Sequence, residues 1–170
     1  MRGLGVVLAA GVVVSFGVAA CAGQRIEHGA FHSPKGYRVM IPPGDWVVVH
    51  DSRADLELRH GSEPVAMAVN ASCDDRRPHG SLGILARHLL IGLRDRATIT
   101  TERTSVNGTV AERGIVEGRL GESGDPMRVE VYVMRDARCL YDFVYAAHPA
   151  KFSAWEPAFR HLVDTFQRPH

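Results

Sequence analysis

Nine histidines, two adjacent aspartates, one carboxylate within an apolar run and three cysteines are the residues here with chemistry to offer. A metal ion needs several nitrogen, sulfur or oxygen ligands at one point, commonly from a helical turn or a tight loop. Only His28 and His32 stand four apart, and Gly29 with the nearby Pro34 argues against a helix there. No metal site is predicted, and the histidines read as solvated. Asp74-Asp75 could take a cation or share a proton, but Arg76 and Arg77 follow directly, so the run reads as a solvated charged turn. Asp142 lies among apolar residues, where a buried unpaired carboxylate is costly. The reading places it on the open face of a strand, opposite the aromatic residues. Trp46, Tyr132, Tyr141 and Tyr145 either line a ligand groove or fill the layer between sheet and helix, and the sequence leaves both open. There is no Gly-x-Ser-x-Gly elbow, Gly-x-Gly-x-x-Gly turn, phosphate loop or His-Glu-x-x-His pair. The expectation is no catalytic residue and no cofactor.

The elements that hold these residues follow from periodicity. Tyr37, Val39 and Ile41 alternate with Arg38 and Met40, and 42–45 ends that strand. Trp46–His50 starts another, Leu56 and Leu58 mark a third, and Val65, Met67 and Val69 mark a fourth. Four short strands in sequence predict an antiparallel meander. The period then changes. Ser81 is a predicted N-cap, and Leu82, Leu85, Leu89 and Leu93 recur at helical spacing. Thr98–Val106 and Thr109–Leu120 flank Asn107-Gly108, a strong hairpin signal because both residues tolerate positive φ. Met127–Met134 and Cys139–Ala147 complete the strands, the latter with Tyr141, Phe143 and Tyr145 on one face. A last helix carries Phe152, Trp155, Phe159, Leu162, Val163 and Phe166 on one stripe and ends at Gln167. Its start is ambiguous, because Ser153 with Glu156 fits a capping box while Pro157 prefers the first helical position.

The 170 residues suit one domain, and 45% hydrophobic against 23% charged excludes a disordered chain. With 20 basic and 19 acidic residues and no basic stripe, nucleic acid is an unsuitable partner. Gly3 to Ala20 carry no charge and have the apolar core and small-residue end of a secretory signal. Val18-Ala19-Ala20-Cys21 resembles the lipobox of bacterial lipoproteins. That resemblance implies cleavage before Cys21 and lipid on its sulfur, with 1–20 as signal peptide and 21–30 as lipidated cysteine and short polar tether. Removing 1–20 takes away only Arg2, so the mature chain is neutral and its membrane attachment must come from lipid. Ala22 is not aspartate, which by resemblance to the sorting rule of enteric bacteria favours the outer membrane. With Cys21 assigned to lipid, Cys73 and Cys139 form an even pair in an oxidising compartment and are expected to be bridged, free buried thiols being the alternative.

Gly36–Pro42, the following Trp46, the strand–helix–strand–helix order and the ending Val163–Phe166 resemble the PsbP-like family. The resemblance implies one α+β domain over 31–168: an antiparallel sheet of about six to eight strands covered by helices, an α/β/α sandwich. It implies an accessory or assembly role in the envelope, without catalysis, beside a protein partner on the periplasmic side. The alternatives are a small-molecule or lipid-binding lipoprotein with a pocket between the sheet and the terminal helix, and an envelope hydrolase.

Overall fold

In the computed structural model, described for residues 25–74, 78–121 and 124–168, burial alternates along most strands as the sequence pattern requires. Among the described residues, ten strands form two sheets. β1 (Arg25–Glu27), β2 (Ala30–Ser33) and β3 (Tyr37–Met40) make a small antiparallel sheet. The main sheet has seven antiparallel strands: β4 (Trp46–Val48), β5 (Leu56–His60), β6 (Val65–Cys73), β7 (Leu93–Val106), β8 (Thr109–Leu120), β9 (Asp125–Arg135) and β10 (Cys139–Ala147). Their spatial order is β4-β5-β6-β10-β9-β8-β7. The α+β class and the seven-stranded helix-covered sheet match the expectation. The meander differs, because β3 leaves it for the small sheet. Within the stretch expected to be a tether, Arg25–Glu27 pair with Ala30–His32 as a strand. Residues 1–24, which hold the expected signal and Cys21, lie outside the described residues.

Two apolar layers sandwich the main sheet. On one side Tyr141, Phe143 and Tyr145 meet Phe152, Phe159 and Leu162 of α2 (Pro149–Asp164), and Phe31, Tyr37 and Val39 of the small sheet close the same core. On the other side α1 (Leu82–His88) sets Leu85 and Ala86 on Val131, Val133 and Leu140. β9 is therefore buried on both faces, Tyr132 and Met134 beneath α2 and the valines beneath α1. Burying each large apolar side chain contributes about 1.5–3 kcal/mol, so these layers dominate the fold's stability.

Both helix boundaries correct the periodicity argument. Ser81 does cap α1, its hydroxyl accepting from Ile84 N, but the helix ends at His88. From there Leu90 N and Ile91 N bond three residues back, to Arg87 and His88, and the coil tightens and stops. Leu93 joins the same apolar cluster as the first residue of β7, so its period was spatial without being helical. α2 starts at neither predicted place: His148 caps it, accepting from Ala150 N at 3.2 Å, and Pro149 takes the first turn. Pro157 lies within the helix. The Asn107-Gly108 turn has φ of 46° and 78°, as its residues predict. Asn107 Nδ2 also donates to Asp164 O (3.0 Å) and Phe166 O (2.5 Å), tying this hairpin to the end of α2.

One charged group lies inside the α2 layer. Glu130 of β9 is fully buried, its Oε1 accepting from Arg113 Nε at 2.6 Å with Arg160 at 3.9 Å, while its buried Oε2 has no hydrogen-bond partner. Arg113 also reaches Glu102 (2.8 Å) and Glu156 (3.4 Å), so the network joins β7, β8, β9 and α2. Burial raises the Glu130 pKa, against the pull of Arg113.

Candidate functional site

Where the small sheet meets the chain leaving α2, a cleft of about 1170 Å3 opens. Its position is set by backbone pairing. Arg38 N donates to Gln167 O (2.8 Å), Gln167 N returns to Arg38 O (2.9 Å), and Met40 N donates to Thr165 Oγ1 (3.0 Å). β3 is thereby joined to the segment after α2, and the β2–β3 turn faces the start of β10 across the opening.

Aromatic rings form the floor. Tyr37 and Tyr141 meet edge to face at 5.7 Å, and Phe166 lies 5.8 and 4.9 Å from them. Each phenol is held by a carboxylate: Tyr37 OH donates to Asp55 (2.9 Å) and Tyr141 OH to Asp136 (3.0 Å). Asp55 also accepts from Ala71 N and Lys35 Nζ. Asp136 accepts from Cys139 N, Arg138 N and Arg168 Nη1 at 2.6–2.7 Å. Burial opposes ionisation of Asp136, but those donors outweigh it and hold its pKa at about 2. Burial, then the neighbouring Asp136, pushes the Tyr141 phenol up to about 12, and burial with Asp55 raises Tyr37 further. Both phenols stay protonated at neutral pH and serve as donors, not bases. Around this floor stand Lys35, Arg38, Arg138 and Arg168, against Asp136 and Asp164. The cleft is arranged to attract negative charge.

The aromatic residues singled out from sequence do not share one groove. Tyr132 packs on Phe159 at 6.0 Å, with the Arg113 guanidinium over its ring. Tyr145 lies between Phe152 and Phe159 and donates to Phe152 O at 2.7 Å. Trp46 sits on β4, its ring edge-on to His60 (5.2 Å) and Trp155 (5.8 Å). Of the four, Tyr141 alone lines the cleft. Cys73 and Cys139 are disulfide-bonded, facing each other as the last rung of β6 and β10. His28 occupies the β1–β2 turn and His32 a cleft wall, and no group of three or more metal-ligating side chains occurs among the described residues. Asp74 follows β6 at a left-handed φ of 53°, and Asp75–Arg77 lie outside the described residues. Sequence reasoning missed the cations of the cleft, because they come from three separate stretches, 35–38, the turn before β10 and the segment after α2, and only the fold gathers them.

Asp142 is on the expected face but only partly open to solvent. It lies between Leu140 and Val144, opposite Asn70 and Val133, with Oδ1 buried and unpartnered. Burial raises its pKa to about 6. The folded protein therefore binds this proton more tightly than the unfolded chain, and stability falls as pH rises from about 4 to about 6. Asp142→Asn removes the penalty. It is expected to stabilise the protein by about 2 kcal/mol near pH 8 and to be nearly neutral near pH 4. Urea unfolding at the two pH values tests this; a loss at pH 8 would show that the carboxylate is paired.

No family model and no curated protein sequence matches the chain. Its fold, however, is shared by solved structures. Cyanobacterial PsbP (CyanoP) from Synechocystis sp. PCC 6803 superposes with a TM-score of 0.61 at 16% identity, over 92% of this chain and 98% of that one. LpqN of Mycobacterium tuberculosis, described as involved in cell envelope biogenesis, gives 0.61 at 13% identity, over 81% and 88%. The Saccharomyces cerevisiae Ran-binding protein Mog1p gives 0.51 at 13%, over 78% and 90%. The chain has the PsbP-like fold.

Proposed function

We propose that this protein is a lipid-anchored accessory or assembly module on the periplasmic side of a bacterial membrane, the outer membrane in preference to the inner, and that it acts by binding. The observation that carries the reading is the use of its three cysteines. Cys73 and Cys139 are bridged, as suits an oxidising compartment, and Cys21 remains at the end of an apolar run in the sequence Val18-Ala19-Ala20-Cys21. No helix among the described residues is long and apolar enough to cross a membrane. Attachment is assigned to acyl chains on Cys21 on the strength of the lipobox-like Val18-Ala19-Ala20-Cys21. The envelope role draws support from LpqN, which has the same fold and is described as an envelope biogenesis protein.

A role without catalysis rests on how the perturbed groups are used. Tyr141 donates to Asp136, Tyr37 donates to Asp55, Asp136 also accepts from Arg168, and Glu130 lies in the core. None of these four is presented as a free base or nucleophile, and Asp142, whose pKa burial also raises, lies on β10 outside the lining of the cleft. The cleft favours a second reading, a periplasmic binder of a small molecule or lipid.

Labelling cells with an alkyne-bearing palmitate tests the anchor. The wild-type protein is expected to take the label and to sediment with membranes, and Cys21→Ala to lose both properties. A Cys21→Ala protein that keeps its label, or an unlabelled wild type, would end the lipoprotein reading. Gentle solubilisation and capture through a tag at His170 then separates the two roles. A stoichiometric protein companion supports the accessory role, and a lone chain carrying a small molecule supports the binder.

A further inference from the structure

We propose that the cleft is a recognition site for a phosphate-bearing anionic headgroup, with Arg38 and Arg138 as the contacting cations. This deepens the ligand-binding reading of the same cleft. Four cations line it against two carboxylates, and they are not equally engaged. Arg168 is committed to Asp136 at 2.6 Å and Lys35 to Asp55 at 2.6 Å, so both serve the architecture. Arg38 is different. Its Nε and Nη2 donate to the neutral Gln167 Oε1, and among the described residues no carboxylate forms an ion pair with it. Arg138 is three-quarters exposed, with only a 3.8 Å approach to Asp74. Two guanidiniums with unused N–H groups, over a floor that does not ionise, suit an oxyanion that accepts several charge-assisted bonds.

The sheet register continues the basic side chains outward. Arg25 pairs with His32, and His32 with Arg38, so the three stand in one row across the outer face of the small sheet, with Arg25 itself ion-paired to Glu27. Cys21 is four residues before Arg25, which places the end of that row within about 14 Å of the anchor point. A headgroup of the anchoring bilayer can therefore reach the row and the cleft beyond it. A soluble phosphate ester offers the same chemistry without the membrane.

The full protein, purified from membranes in an uncharged detergent, is titrated calorimetrically with three probes: dihexanoylphosphatidylglycerol, glycerol 3-phosphate and the uncharged dihexanoylglycerol. Saturable binding of the phospholipid is expected, weakened by salt and reduced about tenfold or more by Arg38→Gln with Arg138→Gln. Neither arginine is buried, Arg138 makes only an exposed ion pair with Asp74, and an unchanged melting temperature verifies that the double variant folds. Binding of the phospholipid without glycerol 3-phosphate identifies a lipid source. Binding of both identifies the phosphate itself as the determinant. Equal binding of dihexanoylglycerol, or no loss in the double variant, overturns the phosphate proposal while leaving a binding cleft. Binding of none of the three overturns it too, without touching the Cys21 labelling result.

Discussion

Arg113→Ala is expected to destabilise the protein by about 3–5 kcal/mol, the cost of leaving a buried charge without its partner. Glu130 is fully buried and its Oε2 already lacks a hydrogen bond, so Oε1 depends on the 2.6 Å bond from Arg113. Arg160 stands 3.9 Å away but is engaged by Glu156 at 2.7 Å, and it can compensate only by giving up that pair. The loss should grow with pH. Burial already raises the Glu130 pKa, and removing Arg113 raises it further, so the folded variant holds a proton that the unfolded chain releases. Stability therefore falls as pH rises above the unfolded carboxyl range. Arg113→Met combined with Glu130→Leu removes both charges and is expected to recover most of the loss, because an apolar pair avoids the desolvation cost. Denaturant unfolding of the two variants at acidic and alkaline pH measures this. A single-variant loss below about 1 kcal/mol would show that Arg160 or water takes over the carboxylate.

The same network shows what a sequence can and cannot disclose. Val129, Val131 and Val133 announced a strand because valine at every second place fits a half-buried pleat. Glu130 alternates with them and reads as solvent-facing for the same reason. It is buried because β9 lies mid-sheet with a helix on each face, and that follows from strand order, which alternation does not encode. Asp142 went the same way: its face was legible, the covering of that face was not. Leu93 was drawn into a helix because a leucine entering β7 can meet the same core as the helix before it. Local signals fared better where the chemistry is local. Asn107-Gly108 makes its turn and Ser81 caps its helix, since each needs only its neighbours. The cleft was the least legible feature, because Arg38, Arg138 and Arg168 are far apart in sequence and meet only after β3 joins the segment following α2.

Replacing both bridged cysteines by alanine is expected to cost about 4 kcal/mol and to lower the melting temperature by about 10 °C. Cys73 and Cys139 are 66 residues apart, and a cross-link closing so long a loop removes much of the unfolded chain's freedom. The folded state contributes a second effect with a definite location. The bridge ties the final rung of a ladder that starts at Val65–Ala147, directly before a turn where Asp74 N donates to Arg138 O at 2.9 Å. Cys139 N is also one of the donors that keep Asp136 ionised beneath Tyr141. Without the bridge this end of β6 and β10 should fray first, loosening the wall of the cleft that carries Arg138. Hydrogen exchange distinguishes the two effects. Faster exchange confined to Asp74 and residues 138–141 reports local fraying, while a shift of the most protected core amides reports the change in global stability. If the double alanine variant melts with the native protein, the β6–β10 ladder alone suffices and the loop-closure argument fails. If core protection falls but 138–141 stay as protected as before relative to the core, the Asp136 cluster, not the bridge, holds that wall of the cleft.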